Sequence, residues 1–474
     1  MENKNSLYNQ HFTIVSLIGF GACAVGYFLF FQWFAYQECL DFRRLLPALL
    51  SVVCFMYAIY RTVPILEDFW GLKRTSIDTS HPACVYIGIG LWVFFVNTLI
   101  YSFGHQLEHG ASFTVVLENF FGRYTNDTPH YIAIAQRWYQ NTLDDHGRLI
   151  VFFPFYPILL RIMFVVTPTY MFAAWFVSNV FAFGSGVMLY KLGRLITDER
   201  EARLAVKFIY IFPSALFFFV PMTESLFLFL SVAVIYYALR ERFGLVFVFG
   251  LMATLTRSAG ALLIIPVACE IIGQMRKEAE EMRESKPGED TASEQHVELW
   301  QRITRGKYRN VVKFMSLSSF ILGMAIYLLI NRIVYGNATQ FMFYQYDYWH
   351  QALYFFWHTI TYLIYTVFNS EIDWVIGAAV PGVIAFCMTL ILITYGAKKV
   401  RVSLTLFALG YFIFAFGPTW LMSGPRYAAV LFPLAFVGAK IAAKKKGYNL
   451  VLTIAYLAMF ALYFHEFVRD NYVF

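Results

Sequence analysis

Residues 376–396 read IGAAVPGVIAFCMTLILITYG and contain no charged side chain. A run of this length and composition can cross the hydrocarbon core of a bilayer as a single helix. The composition of the whole chain is also strongly apolar, since 59% of its 474 residues are hydrophobic and only 14% are charged. Ordinary soluble domains carry about 25% charged residues. This composition excludes a soluble globular protein and predicts an all-α polytopic membrane protein.

Other apolar runs of comparable character occur along the sequence, and some are short enough to be tilted or to lie in the interface. The stretch 244–272 carries Arg257 at its middle with Gly260 beside it, so we expect two short helices that meet at the outer face. Together the runs predict about thirteen crossings. The remaining runs are 12–35, 45–65, 84–103, 168–190, 205–220, 224–239, 314–335, 402–421, 427–443 and 449–466.

Basic residues at the ends of the spans predict the orientation, because Lys and Arg concentrate on the cytoplasmic side. We expect 351–368 to lie along the outer surface without crossing. The regions that follow from this orientation are N-terminal transmembrane helices (1–103), an outer loop with interfacial helices (104–167), core transmembrane helices (168–272), a charged cytoplasmic insert that is a solvated connector or a regulatory dock (273–313), and C-terminal transmembrane helices with the outer loop 336–350 (314–474).

The net charge of +7 corresponds largely to the basic residues of the cytoplasmic face. Basic residues at that face are attracted to anionic membrane lipid and require no nucleic-acid partner. The six cysteines form no CxxC pair, which argues against a disulfide framework and a zinc site. We expect the first apolar run to be an anchor and not a cleaved signal peptide.

Asp127 precedes a short amphipathic segment, TPHYIAIA, at 128–135. Thr128 can cap a helix there and Pro129 can occupy its first position, so Asp127 is expected just outside the helix start. An aspartate in this position can simply complement the helix dipole. The alternative is a functional carboxylate at the outer membrane boundary, because the surrounding outer loop has the helical apolar spacing of interfacial helices.

The segment Asp127–Ala135, followed by FFPFYP at 152–157 and Arg161, resembles the PIG-V-like family, to which GPI mannosyltransferase II belongs. The resemblance covers roughly residues 120–440. Two departures are Asn126, where the family usually has Trp, and a longer segment between Ala135 and Phe152. The further matching blocks, in order, are FPSA at 212–215, TESLF at 223–227, TRSAG at 256–260, PRY at 425–427 and FP at 432–433.

The resemblance implies a GT-C type glycosyltransferase, which takes a sugar from a polyprenyl-phosphate carrier on the non-cytoplasmic side. It favours mannose as the sugar and places Asp127 at the position of the proposed general base. The acceptor would be a lipid, a glycan or a protein. The compact chain favours a bacterial plasma membrane, and a eukaryotic protein of this kind would lie in the endoplasmic reticulum membrane.

The chemistry of sugar transfer requires a carboxylate that takes the acceptor proton, and Asp127 fits this role. The departing lipid phosphate requires positive charge, for which arginine is well suited. The candidates for this contact are Arg257, Arg426 and His130. For each arginine the alternative is an interfacial contact with lipid headgroups.

Three further residues are candidates for acceptor or sugar binding: Glu224, Tyr131 and Asp347. Glu224 follows Pro221 at a span start, where a simple helix-terminal charge is an equal possibility. Asp347 lies in the aromatic stretch FYQYDYWH at 343–350, which could contact sugar by stacking and hydrogen bonds.

No set of potential metal ligands is persuasive, including Asp144-Asp145-His146 and the pair Glu371 and Asp373. We therefore expect no metal or other cofactor, and activity that a chelator abolishes and manganese restores would refute this hypothesis. Two other classes of function stay open. One is a transporter or lipid flippase, although such proteins place charges near the bilayer midplane. The other is a non-catalytic family member that scaffolds an envelope complex.

Overall fold

A computed structural model of the protein describes residues 82–107, 111–124, 127–141, 148–284, 292–352, 354–418 and 423–468. The predicted runs 12–35 and 45–65, residue Asn126 and the cluster Asp144-Asp145-His146 lie outside these ranges. The elements in the described ranges are helices. The predicted all-α class is therefore confirmed.

The helices are numbered here in chain order, and short 3₁₀-helices are named by their residues. They are α1 (Pro82–Leu107), α2 (Phe113–Tyr124), α3 (Thr128–Arg137), α4 (Phe155–Met163), α5 (Tyr170–Ile196), α6 (Glu199–Tyr210), α7 (Glu224–Leu239), α8 (Phe243–Thr256), α9 (Ile264–Glu284), α10 (Ala292–Tyr335), α11 (Gln340–Asp347), α12 (Phe356–Asn369), α13 (Ile372–Gly396, with a π-helical turn at Val375–Ala379), α14 (Val402–Ala415), α15 (Gly424–Ala429), α16 (Pro433–Lys444) and α17 (Lys446–Val468).

The chain divides into two compact units, residues 1–112 and 113–474. In the first unit the described helix is α1, which is apolar enough to cross a membrane. The second unit contains the other described helices.

The interior of the second unit is built around α5, α7 and α8. Helix α5 packs along α7, α7 along α8, and α8 along α10, while α6 lies between α5 and α16. A Cβ added at Gly193 of α5 would lie 2.8 Å from the Cβ of Ala202 in α6. Small residues thus let these two helices approach closely, as in other helix pairs of membrane proteins.

Six helices in the described ranges are long and apolar enough to cross a membrane, and five apolar helices are shorter, with 10–17 residues. The predicted count of about thirteen crossings is not confirmed. The six long helices are Pro82–Gly104, Tyr170–Ile196, Ser258–Glu278, Asn310–Tyr335, Ile372–Gly396 and Lys446–Val468.

Two predicted spans are wrong because the helices break at prolines. The run 205–220 is not one helix, since α6 ends at Tyr210 and a turn through Pro213 leads to a 3₁₀-helix at Ala215–Phe218. The run 427–443 is split between α15 and α16 before Pro433. A proline has no backbone N–H to continue the helical hydrogen bonds, so it favours a new helix start. The predicted break at Arg257 is confirmed, although α9 is longer than expected.

Three tyrosine hydroxyls bind the backbone of the described segments 138–141 and 148–153, which lie near the site in the sequence. Tyr139 donates a hydrogen bond of 2.6 Å to the carbonyl of Phe152. Tyr327 and Tyr335 of α10 donate to the carbonyls of Ile150 and Gln140, at 2.6 and 3.0 Å. Residues Gln140 and Ile150 are therefore held against α10.

Candidate active site

Four charged side chains that are distant in the sequence meet at one place in the second unit. They come from four different elements and from four of the sequence segments that resemble the PIG-V-like family. The convergence brings four separate stretches of the sequence to one site. The residues are Asp127 just before α3, Glu224 at the start of α7, Arg257 between α8 and the 3₁₀-helix Ser258–Leu263, and Arg426 in α15.

Each guanidinium is fixed by carboxylate contacts. Arg426 donates from Nη1 to Oδ2 of Asp127 at 2.6 Å, and from Nε to Oε1 of Glu224. Arg257 donates from Nη1 to the same Oε1 of Glu224 and approaches the hydroxyl of Thr223 at 3.4 Å. Glu224 thus bridges the two arginines, and Arg426 bridges the two carboxylates.

The four side chains of the cluster are buried to different extents. The side chain of Glu224 is 0% exposed and that of Arg426 is 7% exposed, whereas Arg257 is 15% and Asp127 is 18% exposed. Two positive and two negative charges cancel, as the burial of ionised groups requires. Asp127 is consequently the carboxylate of the cluster that a ligand can reach.

Both arginines are held in their charged form. Burial alone would lower the pKa of Arg426, but the carboxylates of Glu224 and Asp127 raise it well above its ordinary value. Burial would also lower the pKa of Arg257, and the carboxylate of Glu224 raises it. The guanidiniums therefore stay positive throughout the accessible pH range.

The start of α3 differs from the prediction at Thr128. Asp127 is the residue that precedes the helix, as expected, and its backbone carbonyl accepts from the N–H of Tyr131 at 3.2 Å. The Thr128 hydroxyl does not cap the helix but donates to the carbonyl of Pro221 at 2.8 Å. The Asp127 side chain makes no capping bond either. Its carboxylate is directed to Arg426, which is a stronger partner than a backbone N–H.

Buried hydroxyls hold the turns that carry the charged residues. Besides Thr128, Ser178 of α5 donates to the carbonyl of Met222 at 3.1 Å, and Ser214 donates to the carbonyl of Pro425. These bonds connect the turn before Glu224 to α3 and α5, and the start of α15 to the turn after α6. The positions of Glu224 and Arg426 are thus determined by contacts outside their own helices.

The backbone at Arg257 depends on Gly260. Arg257 is extended, with φ −152° and ψ 147°, and its carbonyl accepts from the N–H of Gly260 at 2.8 Å. A Cβ added at Gly260 would lie 2.3 Å from the backbone oxygen of Ala253. The chain can fold back on α8 at this point because residue 260 has no side chain.

We expect Gly260→Ala to destabilise the protein by about 1–3 kcal/mol, because the clash is with backbone that cannot rotate away. The displaced turn would also move the guanidinium of Arg257. Thermal unfolding of the purified protein measures the effect. The control is Gly244→Ala in α8, where an added Cβ meets nothing within 4 Å. Equal melting of the two variants would contradict the prediction.

A cavity of about 510 Å³ opens beside the charged cluster, within the range of roughly 300–1,000 Å³ that is usual for small-molecule sites. Its lining combines ionic, aromatic and amide side chains. Its lining comprises Asp127, His130, Tyr131, Val151, Phe152, Phe153, Met222, Thr256, Arg257, Ser258, Gln345, Trp349, Gln351, Ser423, Arg426 and Tyr427.

His130 and Tyr131 line this cavity together with Asp127. His130 stacks on Phe152, with ring centroids 5.1 Å apart, and Tyr131 meets the same ring edge-on at 5.0 Å. Burial, and to a smaller extent the charge of Asp127, raises the pKa of Tyr131 above its ordinary value. The Tyr131 hydroxyl therefore stays protonated and can donate a hydrogen bond to a ligand.

Two predicted binding residues are not among the residues that line the cavity. Glu224 is fully buried behind the two arginines. Asp347 is exposed at the end of α11. Within the described ranges no group of three or more His, Cys, Asp or Glu side chains is placed to hold a metal ion, and both Glu371 and Asp373 are exposed.

The sequence interpretation missed Gln345, Trp349 and Gln351, which line the cavity. They lie in or just after the aromatic stretch 343–350, from which the sequence interpretation selected the one charged residue, Asp347. Gln345 and Trp349 lie four residues apart, which is the spacing of one helical face, but α11 ends at Asp347, before Trp349. The spacing therefore does not identify them as neighbours in the cavity.

Comparison with known proteins gives only distant structural likenesses. No family model and no curated protein matches the sequence. The fold is similar to that of the Archaeoglobus fulgidus oligosaccharyltransferase in the apo form, with 12% identity, a TM-score of 0.40, and coverage of 81% of this chain and 56% of that one. The same archaeal enzyme in complex with an inhibitory peptide and a dolichol-phosphate gives 14% identity, a TM-score of 0.36, and coverage of 68% and 48%. The chain thus spans about half the length of these proteins.

Proposed function

We propose that this protein is an integral membrane glycosyltransferase of GT-C type. It moves a sugar, which the PIG-V-like resemblance favours as mannose, from a polyprenyl-phosphate donor to an acceptor hydroxyl on the non-cytoplasmic face. The observation that carries the proposal is a cavity with an accessible carboxylate, Asp127, next to two fixed arginines, Arg257 and Arg426. These groups match the two requirements of the reaction, a proton acceptor and a cationic phosphate site.

Asp127 is the general base in this proposal. Of the described residues that line the cavity, it is the one with a carboxylate. As the acceptor oxygen bonds to the anomeric carbon, its O–H bond breaks and the proton passes to Asp127. The bond between the anomeric carbon and the phosphate oxygen breaks, and its electron pair stays on the phosphate.

Arg257 and Arg426 bind the donor phosphate. Both line the cavity, and both keep their charge because of the buried carboxylate of Glu224. During transfer the phosphate changes from a diester with one negative charge to a monoester with up to two. Asp127 loses its negative charge at the same time. The total charge of the site is therefore almost unchanged, which limits the electrostatic cost of reaction in a buried cluster.

The ion pair between Asp127 and Arg426 also suggests an order of binding. Without substrate, Arg426 holds the carboxylate at 2.6 Å. A donor phosphate that binds to Arg426 competes for the same N–H group. Binding of the donor thus releases Asp127 to accept a hydrogen bond from the acceptor hydroxyl.

The proposed partners are the polyprenyl-phosphate sugar, a lipid, glycan or protein acceptor, and the surrounding membrane lipid. The proposed location is a bacterial plasma membrane. The reaction is proposed to need no metal, because the guanidiniums carry the phosphate charge, and activity abolished by a chelator and restored by manganese would overturn this point.

The proposal is tested by sugar transfer from radiolabelled polyprenyl-phosphate-mannose to endogenous acceptors, in membranes with and without the protein. We expect transfer that depends on the protein, with inversion of the anomeric configuration, since one accessible carboxylate supports a single displacement and not a covalent glycosyl intermediate. Nuclear magnetic resonance of the product gives the configuration. Absence of transfer from mannose- and glucose-linked donors alike would overturn the proposal.

A further inference from the structure

One short segment of chain at the end of α11 contributes three residues to the lining of the cavity. Gln345, Trp349 and Gln351 all line the cavity, and the charged neighbour Asp347 does not. The segment therefore contributes two primary amides and an indole ring to the wall, with no formal charge. These groups differ in chemistry from the guanidiniums of Arg257 and Arg426, called here the arginine side of the cavity, where a phosphate would bind.

The two amides are held by each other. Gln345 donates from Nε2 to Oε1 of Gln351 at 2.6 Å, and the backbone N–H of Gln351 donates to the carbonyl of Gln345 at 3.0 Å. A primary amide has two N–H donors and a carbonyl acceptor, and the bond to Gln351 uses only one N–H of the Gln345 side chain. Gln345 can therefore offer both a donor and an acceptor to a ligand. The pair is fixed in position before any ligand arrives, which favours specific recognition.

The indole ring is held by contacts with two other aromatic rings. Trp349 meets the rings of His130 and Phe152 edge-on, at 5.9 and 5.7 Å between centroids. Its N–H is buried, and none of the described residues accepts a hydrogen bond from it. A buried donor without an acceptor is unfavourable, and an oxygen supplied by a ligand would remove this cost.

The backbone at this point adopts an uncommon conformation. His350, between Trp349 and Gln351, has a φ of 50°, in the left-handed region that residues other than glycine rarely adopt. Such conformations concentrate at functional sites, because the local cost is accepted where a particular side-chain placement is required. Here the left-handed residue separates two side chains that both reach the same cavity.

We propose that Gln345, Trp349 and Gln351 form the sugar-binding side of the cavity and determine which hexose is transferred. The inference rests on the proposed function and assigns the sugar of the donor to this wall, with its phosphate on Arg257 and Arg426. Uncharged donors and acceptors suit sugar hydroxyl groups, and an aromatic ring suits the apolar C–H face of a pyranose. A site that hydrogen-bonds the hydroxyl groups of one sugar discriminates strongly against a sugar that lacks them in those positions.

The test compares the binding of three lipids that share the polyprenyl phosphate and differ in the sugar. Purified full-length protein in lipid nanodiscs is titrated with polyprenyl phosphate and with polyprenyl-phosphate-mannose, and the glucose-linked donor serves as the competing hexose. The variants are Gln345→Ala, Gln351→Ala and Trp349→Phe. The matched control is Asp347→Asn, on the same segment but outside the cavity lining.

We expect the two glutamine variants to bind polyprenyl-phosphate-mannose about 10- to 100-fold more weakly than the wild type, as for the loss of one or two hydrogen bonds in a buried site. Their affinity for polyprenyl phosphate without sugar should stay within about twofold, because the arginine side is unchanged. Trp349→Phe should lose part of the affinity and part of the discrimination between mannose and glucose. Asp347→Asn should behave as the wild type with all three ligands.

Two results would overturn the inference and leave the proposed function intact. In one, the glutamine variants bind all three lipids as the wild type does. In the other, they lose affinity for polyprenyl phosphate as much as for the sugar-linked donors, which would assign these residues to phosphate binding or to the fold. A wild-type protein that binds none of the lipids would instead overturn the proposed function, and this inference with it.

Discussion

Asp127→Asn is expected to reduce sugar transfer by roughly 10²- to 10⁴-fold, which is the usual contribution of a general base. The amide of asparagine can still accept a hydrogen bond from Arg426 but cannot take the acceptor proton. Because one negative charge that competes for Arg426 is removed, the KM for the donor should not rise. The loss should therefore appear in kcat.

Transfer is measured in membranes that contain equal amounts of wild-type and variant protein. Asp347→Asn is the matched control, since Asp347 is exposed and lies outside the cavity lining. A purely structural role of Asp127 would lower the amount of protein or its melting temperature instead. Transfer by Asp127→Asn at the wild-type rate would show that another group is the base.

Glu224→Gln is expected to lower the free energy of unfolding by on the order of 3 kcal/mol, because two buried guanidiniums lose part of their compensating charge. The change is nearly isosteric. Both arginines contact Oε1 of Glu224, whose place the amide oxygen can take, and no described residue hydrogen-bonds to Oε2. The variant therefore tests the charge of Glu224 more than its shape.

Thermal unfolding in detergent measures this effect, and Glu118→Gln in α2 is the control because Glu118 is exposed. A second variant, Glu224→Gln combined with Arg257→Gln, restores the charge balance. We expect this pair to be more stable than the sum of the two single effects predicts, with a coupling energy of about 0.5–3 kcal/mol. Additive effects would contradict the charge-balanced cluster.

The helical class and several helix positions could be predicted from the sequence because they depend on local properties. An uncharged run such as 376–396 has to satisfy its backbone within a helix if it is to enter lipid, and α13 spans this run. The break at Arg257 was likewise visible as a charge beside a glycine. By contrast, 205–220 is as apolar as a span but is interior to the protein, with Phe217, Phe218 and Phe219 fully buried. Hydrophobicity alone does not distinguish a lipid-facing segment from a segment that packs against other helices.

The candidate site was likewise predicted from the sequence only in part. The sequence indicated Asp127, Arg257 and Arg426 because charged residues are rare in so apolar a chain and stand out where they occur. It could not indicate that Arg426 bridges Asp127 and Glu224, which lie 299 and 202 residues away. It also could not place Gln345, Trp349 and Gln351 on the cavity wall, since nothing local distinguishes them from other interfacial residues. Residue types and helices follow from local chemistry, whereas the pairing of charges and the composition of a cavity depend on which distant segments pack together, and only the tertiary structure decides that.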